Sequence, residues 1–132
     1  MVGIDDKDIF KTLLNQAVRA MPSHYEQDES CNYVMAMLLD ISPRDGMEAM
    51  LITQMMAVQS QAMEYMKRAS LPEQPTEGID VNINRATKLQ RTFVQQLEAL
   101  QKYRNKGKQT IQVQHVNVKS GGQAVVGNIG DR

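Results

Sequence analysis

The chain has 132 residues, 42% of them hydrophobic but only 5% aromatic, and its 15 basic and 15 acidic side chains cancel to a formal charge of zero. That length supports one domain, or one helical domain with an appendage, in which Met and Leu supply packing that aromatics usually provide. The single cysteine, Cys31, excludes an internal disulfide and fits a reducing cytoplasm, no run nears the roughly 18 apolar residues of a membrane span, and residues 1–12, with Asp5, Asp6 and Asp8, do not read as a signal sequence.

The first predicted element is a helix over 6–20. Asp5 is placed to cap it, Asp8 lies in its first turn, and Ile9, Phe10, Leu13, Leu14 and Ala17 share one face before Pro22 and Ser23 end it. An acidic link, Glu26-Gln27-Asp28-Glu29, then leads into a shorter helix over 30–39 with Tyr33, Val34, Met37 and Leu38 apolar. That link reads as a solvated helix start.

The third helix has the strongest signal. Ser42-Pro43-Arg44-Asp45 offers a capping Ser, a Pro at the first helical position and an acid at the third, and the pattern continues to Ala69. Leu51, Met55, Val58, Ala62, Tyr65 and Ala69 form a heptad-like seam, with Ile52, Met56, Met63 and Met66 as a second stripe beside it. A helix apolar over so wide an arc requires two partners. The predicted connection is residues 71–80, with two Pro and one Gly. The fourth helix then starts near Asn82 or Asn84 and stops near Arg104, before Asn105 and Gly107. Its buried stripe is expected to be Ala86, Leu89, Phe93, Leu97, Leu100 and Tyr103, with Gln90, Gln95, Gln96 and Gln101 on an exposed or interfacial face. Helices three and four are expected to pair antiparallel, with Met55 and Val58 facing Phe93 and Leu97.

The stretch 109–130 changes character. It is rich in Val and Ile and is broken by Ser120-Gly121-Gly122, which reads as a strand, a tight turn and a second strand. The alternation slips at His115, so Ile111 and Val113 point one way and Val116 and Val118 the other. Either a β-bulge restores one face, or both faces are covered. A lone two-stranded hairpin is marginal in water and leaves open edges. A second copy of the same tail would meet that need, through Ile111, Val113, Val116, Val118, Val125 and Val126.

The zero net charge conceals a division: residues 1–81 hold 13 acids and six bases, whereas 82–132 hold nine bases and two acids. This asymmetry favours attraction within or between subunits over binding of a polyanion. Lys102, Arg104, Lys106 and Lys108 nonetheless make a basic knot around Tyr103 at the junction of helix and tail. It reads either as a nucleic-acid or anion patch or as cations favoured by a helix C-terminus. Other motifs carry little. Gly122 and Gly127 have phosphate-loop spacing, but Asn128-Ile129 follows in place of Lys-Ser/Thr. His24, His115 and Cys31 stand in different segments and do not compose a zinc site or a nucleophile pair.

The run QHVNVKSGGQAVVGNI resembles the tail, approximately HV-V---GGQA-VGN, of a widespread group of small uncharacterised proteobacterial proteins. Asp45-Gly46-Met47-Glu48-Ala49-Met50-Leu51 with Gln54-Met55 is similar to that group's central helix. Arg91-Thr92-Phe93-Val94-Gln95-Gln96-Leu97-Glu98-Ala99-Leu100 with Tyr103-Arg104 is similar to its next helix, and the likeness spans about residues 40–130. The resemblance implies that these elements form one unit. It supplies no catalytic residue.

The sequence therefore predicts a mainly α cytoplasmic protein: an N-terminal helical segment (1–40), an antiparallel helical hairpin core (41–108) and a C-terminal β-hairpin tail (109–132). The expected function is non-enzymatic, with no cofactor or metal. It is that of a homo-oligomeric scaffold or binding adaptor for a protein partner, of phage or mobile-element character. The alternative is a nucleic-acid-binding accessory protein.

Overall fold

The computed structural model describes residues 6–106, which form four helices: α1 (Lys7–Arg19), α2 (Gln27–Ile41), α3 (Gly46–Ala69) and α4 (Thr76–Asn105). The described residues are mainly helical and contain no strand. The β-hairpin expected over 109–130 lies outside them.

Side-chain caps open α1 and α3, whereas α2 and α4 start without one. Asp6, rather than Asp5, caps α1: its Oδ1 accepts from the Asp8 and Ile9 amides at 2.8 and 3.3 Å. Helix α2 is longer at both ends than expected and takes Asp28 and Glu29 into its first turn, where the helix dipole favours acids.

The connection between α2 and α3 reassigns a residue. Ser42 was expected to cap α3, but it ends α2 in the left-handed region (φ 51°), with its Oγ donating to the Leu39 carbonyl. Asp45 caps α3 instead, accepting from the Glu48 amide at 2.9 Å. Two helices compete for one short link, so the serine serves the first and the aspartate the second.

At the other end of α3 the turn is tighter than expected. Gln74 donates from Nε2 to the carbonyls of Arg68, Ala69 and Leu71, so one side chain satisfies a helix end. Pro75 then opens α4 at Thr76, six residues before the expected start, and Gly78 is absorbed into its first turns.

Helix α3 is the central element. One core joins Ala17 of α1, Val34 and Leu38 of α2, Ile52, Met55 and Met56 of α3 and Leu100 of α4, with Phe10, Met37, Ile41 and Phe93 packed against it. The wide apolar arc of α3 thus meets α4 on one side and the α1/α2 pair on the other. The pairing of α3 with α4 is antiparallel, because Tyr103 and Arg104 at the end of α4 contact Asp45 and Glu48 at the start of α3.

Two details differ from the expected stripes. Met63 and Met66 are exposed, and Met63 lines an open groove between α3 and the start of α2. Leu97 and Tyr103 are also exposed at about 40%, so the face of α4 on α3 is centred on Ala86, Leu89, Phe93 and Leu100. Met55 is buried as expected and Val58 is half-buried.

Candidate functional site

The most organised polar cluster lies where α2, α3 and α4 meet. Glu48, on the first turn of α3, is 2% exposed. Its Oε2 accepts from the Arg44 amide at 2.8 Å and from Nε and Nη2 of Arg104, both at 3.2 Å. Arg104 also donates from Nη2 to the Ile41 carbonyl at 3.0 Å, so it bridges the end of α2 to the start of α3. Beside it the Tyr103 hydroxyl donates to Asp45 Oδ2 at 2.8 Å. A buried carboxylate is tolerated only with such partners.

This network sets the protonation of its outer pair. The Asp45 carboxyl is held below its usual range, first by the hydrogen bond from the Glu48 amide and then by that from Tyr103. The Tyr103 phenol is pushed up, first by donating to Asp45 and then by desolvation and by the nearby charges of Asp45 and Glu48. The cluster therefore works as a latch. It anchors the last turn of α4, after which Lys106 ends the helix in the left-handed region (φ 48°). The segment that carries the tail residues begins there.

The expected basic patch is divided by this arrangement. Lys102 and Lys106 are exposed, Arg104 is half-buried against Glu48, and Lys108 lies outside the described residues. Of the expected patch, Lys102 and Lys106 are the members that face solvent among the described residues. The expected interface residues Ile111, Val113, Val116, Val118, Val125 and Val126 also lie outside the described residues. Reasoning from sequence missed Glu48 and the tethering role of Arg104. One signal was present: Arg104 falls four residues after Leu100 and so continues the buried face of α4.

A second feature is a groove of about 620 Å³ between the start of α2 and the second half of α3, lined by Met21, Tyr25, Tyr33, Gln59 and Met63 around buried Ser30. The His24 ring packs on Tyr25 with centroids 4.4 Å apart, and its Nδ1 lies 3.3 Å from Glu64. Glu64 also pairs with Arg68, and the guanidiniums of Arg68 and Arg85 each lie 5.5 Å from the Tyr65 ring centre. The groove is an amphipathic, Tyr- and Met-lined surface suited to apolar side chains. Among the described residues no group of acidic, His or Cys side chains is placed to hold a metal ion, and no described helix is long and apolar enough to cross a membrane. Cys31 is half-buried on α2.

Compared with known protein families, curated proteins and solved structures, the chain matches none.

Proposed function

We propose that this protein is a non-enzymatic, self-associating scaffold or binding adaptor of the cytoplasm, which assembles through its C-terminal segment. The observation that carries this reading is the latch at the end of α4. A buried charge costs several kcal/mol to desolvate, and here it is retained to immobilise the turn from which the tail departs. Immobilising that turn lowers the entropy lost when tails from several subunits associate. The groove supports the adaptor role: Tyr25, Tyr33 and Met63 line it together and are exposed.

The test is the mass in solution of the full chain and of a chain ending at Lys108. The described helices hold their own core, so the shortened chain is expected to fold as a helical monomer while the full chain assembles. A full chain that sediments as a monomer at micromolar concentration refutes the reading. Tight binding of duplex DNA or RNA that weakens steeply with salt would instead support the nucleic-acid alternative, for which Lys102 and Lys106 are exposed and Arg104 is engaged elsewhere.

A further inference from the structure

Helix α4 carries a second seam that the fold leaves uncovered. Ile83, Thr87, Gln90, Val94, Leu97 and Gln101 follow one another at spacings of four, three, four, three and four residues, the repeat that keeps one stripe facing a partner helix. The stripe lies beside the face used by α3. Its three large apolar members remain open, with Ile83 at 42%, Val94 at 53% and Leu97 at 40% exposure. Gln90 and Gln101 are exposed between and beyond them.

The flanks of this seam decide the orientation of a partner. On one flank stand Ala86, Phe93 and Leu100, which are buried or half-buried and occupied by the fold. On the other stand Asn84, Arg91 and Glu98, all exposed. Among the described residues Arg91 and Glu98 have no ion-pair partner within the chain. Parallel helices pair one flank with the opposite flank of the neighbour, and here that opposite flank is occupied. Antiparallel helices pair like flanks, which brings Arg91 against the neighbour's Glu98 and Glu98 against the neighbour's Arg91. Val94 and Leu97 then sit next to the two-fold axis, each against the other's copy. The arrangement is self-complementary and closed, as a two-fold dimer requires.

The geometry points to a second copy of this chain as the occupant of the seam, docked antiparallel along α4 in the register that pairs Arg91 with Glu98 twice. This rests on the proposed self-association and adds to it a helical contact with a defined direction. The seam is roughly 27 Å long and about 10 Å wide, short of the ~800 Å² per partner of a stable interface. It therefore acts with the tail, setting direction and register while the tail adds area.

A charge exchange in the full chain tests the idea. Arg91→Glu alone and Glu98→Arg alone each turn two attractions into two repulsions, whereas the double variant restores both with the signs reversed. Each single variant is expected to raise the dimer dissociation constant at least ten-fold, measured by sedimentation at low salt, and the double variant to return within about three-fold of the parent. In a Cys31→Ser background, a mixture of Val94→Cys and Leu97→Cys chains is expected to form the mixed disulfide in preference to either homodimer. Dissociation constants unchanged in all three charge variants, or a double variant no better than the singles, overturn the proposal. If those variants are silent while removal of residues 109–132 yields monomer, the seam fails and assembly through the tail stands. If the charge variants act while the shortened chain still assembles, the tail fails and the seam stands.

Discussion

Removing the Arg104–Glu48 pair gives the sharpest test of the latch. At 3.2 Å two unit charges attract by about 5 kcal/mol at an effective dielectric constant of about 20. Arg104 is partly open to water, so screening and desolvation reduce the net coupling to about 2 kcal/mol. Arg104→Met leaves the buried Glu48 carboxylate with the Arg44 amide alone and is expected to cost about 3 kcal/mol. Glu48→Gln keeps an acceptor and costs less, about 1–2 kcal/mol. With both changes present, the coupling term of the cycle should be about 2 kcal/mol. Urea unfolding followed by circular dichroism measures all four proteins, and a change of that size also moves the thermal midpoint by about 8 °C in a domain near 100 residues. The chain ending at Lys108 should give the same coupling, since both partners lie within the helices. A coupling below about 0.5 kcal/mol would mean that the pair behaves as an ordinary surface contact, and α4 would not be anchored as argued.

Other outcomes follow from the same structure. Ile52→Ala, at a fully buried core position, should cost about 3–4 kcal/mol, whereas Met63→Ala, largely exposed on the same helix, should cost less than about 1 kcal/mol in urea unfolding. Met55→Asp should cost several kcal/mol by placing a charge in the core, and an unchanged thermal midpoint would contradict the burial of that position. The Tyr103–Asp45 bond makes stability depend on pH at both extremes. Because the folded Asp45 pKa is lowered, its contribution is present above the ordinary carboxylate range and is lost as pH falls through the lowered value. Because the folded Tyr103 pKa is raised, its contribution is present below about pH 10 and is lost as pH rises through the raised value. The gap in thermal midpoint between the parent and Tyr103→Phe should thus narrow above that pH, and a gap constant from neutrality to strong alkali would refute the bond. Gly46→Ala should raise stability by about 0.5 kcal/mol, since a methyl group there meets nothing within 4 Å.

The identity of the helical elements is written in the residues alone. Four helices were legible from apolar spacing and end signals, and the broad arc of Leu51, Ile52, Met55, Met56 and Ala62 required α3 to be covered on two sides. The antiparallel pairing of α3 and α4 was legible too, from two long amphipathic segments joined by a short, Pro-containing link. Tertiary structure decided which members of each stripe are covered. Periodicity gathers residues into a stripe but does not state how much of that stripe the neighbouring helix covers, so Met63 and Leu97 share the spacing of core residues and still face solvent. It also decided how Ser42 and Asp45 divide the work of ending one helix and starting the next, because both sit in the same short link and either could cap. Above all it decided the fate of the charges. Glu48 and Arg104 each look like solvated side chains in their own helices. Only the close approach of residues 56 positions apart makes burial of that carboxylate affordable, since desolvation is offset by a partner that local sequence does not reveal.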